Sequence, residues 1–310
     1  MFSVIFPGQG SQSVGMGKDL YEKFELVKKL FKEADETLDF PISKLILEGP
    51  KEKLDLTENT QPAIFLLSYS IFQLAKNYFN VDLNKAKYFA GHSLGEYSAL
   101  ACAGSLNFSE TLRILKIRGK AMQNSVPRGL GGMVAVLGSN IETIETILKE
   151  NIFKYKCFIA NDNSEGQLVV SGEIKALDEF MNDLKSRKIK NIKLPVSAPF
   201  HCNLMNDATK IMNEEINKLN FKSFKNILIS NVTAKEISNS DDLKSLLVKQ
   251  IENKVRWRES VLFMIEKGIN HFIEIGPGKV LTGLVKRTNK IVKTGAINNE
   301  EDISSIKLNE

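Results

Sequence analysis

The stretch that most limits how this chain can fold is Tyr88-Phe89-Ala90-Gly91-His92-Ser93-Leu94-Gly95-Glu96-Tyr97-Ser98-Ala99-Leu100. A short apolar run ends at Ala90, Gly-x-Ser-x-Gly follows, and Glu96 to Ala103 has the amphipathic spacing of a helix. The order is strand, sharp turn, helix. The glycines are needed because the serine sits on a strained bend where neighbouring side chains would clash. The strain lifts the Ser93 hydroxyl clear of the sheet, and the helix behind it aims free backbone N–H groups at the same place. One local turn thus supplies a nucleophile and part of an oxyanion site.

Around this turn, strand and helix patterns alternate. Phe2 to Phe6 reads as a buried strand and leads into the Gly-rich loop Pro7 to Gly17. Nucleotide-binding patterns fail there. Ser13 stands where the third glycine of Gly-x-Gly-x-x-Gly belongs, and Gln12 occupies the first glycine position ahead of Gly17-Lys18. Apolar spacing predicts one helix over 18–38, a short helix over 42–47, a turn over 57–61, and a helix entered at Pro62 and running to Tyr78. Ser109 is expected to cap the helix that carries Arg118.

The pattern changes after the glycine-rich linker 127–132. Strands at 133–137, 157–160, 167–171 and 191–196 and helices at 141–151 and 174–187 follow, with 161–166 as a turn. This β-α-β-β-α-β order is a split ferredoxin-like unit. Helices at 203–219, 241–250, 256–267 and 280–287 and strands at 227–231, 271–275 and 291–294 complete the chain. The expected organisation is a large α/β core of residues 1–126 and 197–310, built on a parallel sheet, with a small ferredoxin-like domain of 127–196 inserted in it.

Composition removes several function classes. No apolar run reaches the roughly 18 residues that a membrane span needs. Met1 leads straight into an expected strand, which speaks against a secretory signal. A net charge of +5 over 310 residues favours acidic partners, yet aromatic residues are not interleaved with the basic ones as in a nucleic-acid surface. Cys102, Cys157 and Cys202 lack disulfide or metal-ligand spacing and read as buried small hydrophobes. Cys202 adjoins His201, so a reactive thiol stays open there.

A serine on an elbow needs a base, and the chain has three histidines. His92 adjoins the serine and must point elsewhere. His271 begins a buried strand and reads as structural. His201 follows the inserted unit and precedes a helix, where a base from the second half of the core could reach Ser93. Gln9 could donate to an oxyanion together with the Leu94 N–H. Arg118 could grip a carboxylate through two parallel hydrogen bonds, or be a solvated helix charge.

Six motifs resemble the malonyl-CoA:acyl carrier protein transacylase family across essentially the whole chain. They are Phe6-Pro7-Gly8-Gln9-Gly10-Ser11-Gln12, Gly91 to Leu100, Arg118-Gly119-Lys120-Ala121-Met122, Pro199-Phe200-His201, Val255-Arg256-Trp257 and Glu274-Ile275-Gly276-Pro277-Gly278. The resemblance implies an α/β-hydrolase-like core. It implies Ser93 as the malonylated nucleophile, His201 as general base, Gln9 and Leu94 as oxyanion hole, and Arg118 as carboxylate ligand. It matches Gln250 to the residue whose backbone carbonyl orients the histidine, and Met122, Asn161 and Phe200 to pocket positions. Lys254 departs from the family, many of whose members carry proline there. Phe200 is similar to the malonyl-selecting form of its motif.

The implied activity is ping-pong malonyl transfer in fatty acid biosynthesis. Malonyl-CoA and acyl carrier protein are the partners, without nucleic acid, membrane, metal or resident cofactor. Coenzyme A thioester and phosphopantetheine are substrates. A cytoplasmic monomer is expected, or a plastid one if a transit peptide has been removed. The alternatives are a serine esterase or thioesterase sharing the elbow, and a non-catalytic module that binds carrier protein. The basic run Lys185 to Lys193 is a candidate docking surface for an acidic carrier protein.

Overall fold

A computed structural model describes residues 1–127, 129–150, 156–196, 198–237 and 240–308. Arg128 in the first linker, the expected helix end at Asn151 and Ser197 at the return to the large core lie outside these residues. The strands in chain order are β1 (Phe2–Phe6), β2 (Tyr88–Gly91), β3 (Gly131–Leu137), β4 (Cys157–Ser164), β5 (Gln167–Glu173), β6 (Lys190–Lys193), β7 (Ile227–Ile229), β8 (His271–Ile275) and β9 (Lys293–Ile297).

Two sheets result. The first has strand order β7-β2-β1-β8-β9, and every pairing in it is parallel. Every residue of β1 and β8 is buried, as a parallel sheet covered on both faces requires. The second has order β4-β5-β3-β6 and is antiparallel, the order of a ferredoxin-like unit. Its strands alternate in the two-residue period. Val134, Val136, Leu168 and Val170 face the helices Ile141–Glu150 and Ile174–Ser186, through Ile144, Ile147, Leu177 and Phe180. Met133 and Val169, on the other face, join the main core.

Several local expectations need correction. The turn assigned to 161–166 is strand as far as Ser164. Asn and Asp favour turns locally, but here the Asp162 N–H donates to the Val255 carbonyl at 2.9 Å and the Val255 N–H to the Ala160 carbonyl at 2.8 Å. Arg258 Nε also donates to both Asp162 carboxylate oxygens at 3.0 Å. These bonds tie the small sheet to the segment before the helix Trp257–Glu266 and to the first turn of that helix.

The helix expected from Pro62 begins at Thr57. Pro62 costs it one i→i−4 bond, and burial on nearly all sides carries the helix through. The single helix over 18–38 is two, Lys18–Lys23 and Glu25–Leu38. Phe24 is extended between them, with its ring 5.7 Å from that of Tyr78 and 5.8 Å from that of Phe79. Asn107, not Ser109, caps the helix Phe108–Asn124, accepting from the Glu110 N–H at 2.8 Å. The last strand lies at Lys293–Ile297 rather than 291–294, and an unforeseen helix, Glu300–Ser305, follows it. Among the described residues no helix is long and apolar enough to cross a membrane.

Candidate active site

β1 and β2 run side by side with Phe6 opposite Gly91, so the chain leaves both strands at the same end of the sheet. Ser93 follows β2 with φ of 53°, in the left-handed region that costs a side-chain-bearing residue about 1–3 kcal/mol. A Cβ on Gly91 would lie 1.9 Å from the Gly95 carbonyl carbon, and one on Gly95 would lie 2.2 Å from the Phe6 oxygen. Only glycine fits at either place. The strained turn is held from outside. The Ser93 N–H donates to Asn231 Oδ1 at 2.7 Å, and Gln250 Nε2 donates to the Ser93 carbonyl at 3.0 Å.

His201 reaches this turn from the second half of the chain, also in the left-handed region at φ of 58°. Its Nε2 stands 2.8 Å from Ser93 Oγ, and its Nδ1 stands 2.9 Å from the Gln250 backbone oxygen. A carbonyl can only accept, so Nδ1 carries the hydrogen and the Nε2 lone pair faces the serine. Burial, reinforced by the positive charge of Arg118, pushes the His201 pKa down to about 3. The imidazole is therefore neutral, the form a base requires.

Arg118 is wholly buried and is no solvated helix charge. Its Nη2 lies 2.8 Å from Gln250 Oε1 and 3.2 Å from Ser93 Oγ, and its Nη1 lies 2.8 Å from Gln61 Oε1. Among the described residues its hydrogen-bond partners carry no charge. Burial lowers its pKa. A buried guanidinium with neutral partners beside a nucleophile is a site for an anionic group.

A cleft of about 300 Å³ opens on these groups. Gln9, Leu94, Met122, Asn161 and Phe200 all line it with Ser93, Arg118 and His201, so the cleft gathers every residue that the resemblance assigned to the site except Gln250, which stands behind it. Gln9 Nε2 holds Thr57 Oγ1 only loosely, at 3.4 Å. Leu94 heads the helix Gly95–Cys102, where the first amides have no partner within the helix. Met133, Ala135 and Val169 form the far wall.

Among the described residues neither of the other histidines bonds Ser93, although His92 lines the same cleft. His92 Nε2 meets Asn163 Oδ1 at 2.8 Å, and its ring packs edge-on against Trp257 with centroids 5.8 Å apart. His271 lies buried in β8. The three cysteines are buried free thiols, and burial pushes Cys157 and Cys202 up to about 12. A thiol held that high is a poor nucleophile, which removes the reactive reading of Cys202. Among the described residues no cluster of His, Cys, Asp and Glu could hold a metal ion.

Sequence reasoning missed Gln61, Asn163, Asn231 and Glu96. Glu96 was visible as the acid closing the elbow motif. Asn231 carried one weak signal, its position just past a parallel strand, where such sheets place their sites.

The model of the family described as acyl transferase domain matches residues 3–307. A malonyl CoA-acyl carrier protein transacylase of Bacillus subtilis is 42% identical over 305 residues, 96% of this chain and 94% of that protein. An acyl-carrier-protein-S-malonyltransferase from Bartonella henselae superposes with a TM-score of 0.95 at 40% identity, over 98% of this chain and 97% of that one. A malonyl-transacylase solved with a type II PKS acyl-carrier protein superposes with a TM-score of 0.93 at 37% identity, each chain covered to 97%.

Proposed function

The chain belongs to the acyl transferase domain family, and from that premise we propose that it moves a malonyl group from malonyl-CoA to the phosphopantetheine thiol of acyl carrier protein. The observation that carries this reading is the buried Arg118 guanidinium, 3.2 Å from Ser93 Oγ and ready for an acyl group that ends in a carboxylate. Fatty acid biosynthesis in the cytoplasm is the setting that fits this transfer.

Ser93 Oγ attacks the thioester carbonyl as its proton passes to His201 Nε2. The Leu94 N–H and Gln9 Nε2 stabilise the oxyanion. The C–S bond breaks, and the coenzyme A sulfur takes the proton from His201. The carrier-protein thiol then gives its proton to His201 and attacks the malonyl ester. The Ser93 oxygen leaves and recovers the proton. The Gln250 carbonyl keeps His201 in the working tautomer throughout, the part an aspartate plays in a triad.

An acyl group without a carboxylate leaves the buried Arg118 charge without an anionic partner, a difference of about 1–3 kcal/mol. Arg118→Ala is therefore expected to lower malonyl transfer by about 5- to 150-fold while sparing or raising acetyl transfer. Parallel kcat/KM measurements with malonyl-CoA and acetyl-CoA check this. An unchanged malonyl preference would remove Arg118 from its role.

A further inference from the structure

Glu96 is a buried carboxylate that the transfer steps do not use. Its Oε2 accepts from Gln250 Nε2 at 2.7 Å and from the Asn231 N–H at 3.1 Å. Gln250 is thus bonded at both ends of its amide. Its oxygen accepts from Arg118 at 2.8 Å, while its nitrogen donates to Glu96 and to the Ser93 carbonyl. Charge at each end decides which way the amide points. A flipped amide would set N–H groups against a guanidinium that can only donate, and oxygen against a carboxylate that can only accept while ionised. Bonds in such a chain also polarise and strengthen one another.

The two residues that Glu96 holds reach the reacting groups by separate routes. The Asn231 side chain accepts from the Ser93 N–H at 2.7 Å and donates to the Gly91 carbonyl at 2.7 Å, bracing the elbow. The Gln250 main chain accepts from His201, and its side chain from Arg118. One carboxylate oxygen therefore stands behind nucleophile, base and guanidinium together. We propose that Glu96 is a positioning residue for acyl transfer, fixing the Gln250 amide and the Asn231 segment that hold Ser93, His201 and Arg118 in register. The inference rests on the transferase reading above.

The surroundings of Glu96 give the role a pH signature. Burial pushes its pKa up to about 7, opposed by the bonds from Gln250 and Asn231 and by the charge of Arg118. Arg118 faces it from the helix Phe108–Asn124, and Tyr97 adjoins it on its own helix. Among the described residues Glu96 Oε1 has no hydrogen-bond partner, so a proton can settle there without breaking a bond. Above this pKa the carboxylate accepts both bonds at full charge; below it they weaken. His201 titrates far lower, so its neutral form persists across the same range. The acid-side inflection in Ser93 acylation accordingly belongs to Glu96, with rates rising as pH rises.

The test is the rate of malonyl adduct formation on Ser93 with malonyl-CoA, followed by rapid quench and intact mass from about pH 5.5 to about pH 8.5. The wild type is expected to show an inflection near neutrality. Glu96→Gln keeps a neutral acceptor for both bonds and does not titrate. It should acylate within about tenfold of the wild-type optimum with the inflection gone. Glu96→Ala should be slower by about 100-fold or more. A wild-type profile without that inflection, its persistence in Glu96→Gln, or Glu96→Ala acylation within about threefold of wild type would each overturn the role. If Glu96→Ala does not fold, the near-isosteric Glu96→Gln profile decides alone. A wild type that never acquires the adduct removes the transferase reading itself, an outcome distinct from all of these.

Discussion

The two sheets build opposite sides of one cleft by different means. At the ends of the parallel sheet stand Ser93 after β2, Asn231 just beyond β7 and Gln9 after β1. There the backbone is strained, and buried polar atoms meet specific partners, as in Ser93 N–H to Asn231 and His201 to the Gln250 carbonyl. Besides the polar Asn161, Asn163 and Gln167, the antiparallel sheet contributes a wall made of Met133, Ala135 and Val169. The side chains of this wall are apolar, and their placement follows from strand alternation alone. Chemistry needs particular atoms at particular distances, whereas a wall needs only shape. Losses on the parallel side should therefore be steep, and losses on the antiparallel side shallow.

His201→Ala should give the steepest loss. Removing the base while leaving the oxyanion donors is expected to slow Ser93 acylation by about 10³–10⁴-fold, measured in a single turnover. A loss below about tenfold would mean that another group deprotonates Ser93.

Asn231→Ala comes next. It removes the acceptor for the Ser93 N–H at a strained position, and about a 10–100-fold fall in kcat with little change in KM is expected. A change confined to KM would move Asn231 from the elbow to the substrate.

Val169→Ala probes the wall. It should change kcat/KM by less than about tenfold and cost about 1–3 kcal/mol of stability, read by denaturant unfolding. A catalytic loss as large as that of Asn231→Ala would erase the contrast between the sheets.

The smallest effect is expected on the outer edge of the antiparallel unit. Arg187 is engaged with Asp183 at 3.2 Å, while Lys185, Lys188 and Lys190 are exposed. Reversing charge with Arg187→Glu and Lys188→Glu should raise the KM for carrier protein a few-fold at low salt, fade as salt screens the surface, and leave malonyl-CoA untouched. No change in carrier-protein KM or in its salt dependence would place docking elsewhere.

The same contrast explains what could be read in advance. The elbow was legible because its chemistry is local: Gly91 and Gly95 are demanded by a turn five residues long. His201 was reachable by spacing among three histidines, and its link to Gln250 came from resemblance. Asn231 and Glu96 were not legible as partners. Their bonds join residues 138 and 154 positions apart from Ser93 and Gln250 respectively, and no periodicity records such a pairing. The strand at 161–164 was hidden for the same reason, since its support comes from Val255 and Arg258. Pro62 misled differently. Its local preference for a helix start is genuine, but burial of most of the helix Thr57–Tyr78 outweighs one missing bond.

The most direct measurement is intact mass with peptide mapping after malonyl-CoA is added, repeated once holo acyl carrier protein is present. The account predicts one malonyl adduct on Ser93, absent from Ser93→Ala, that persists in buffer and moves to the carrier protein when it is supplied. An adduct lost as fast without carrier protein would make the enzyme a hydrolase, and no adduct on Ser93 would contradict the account at its centre.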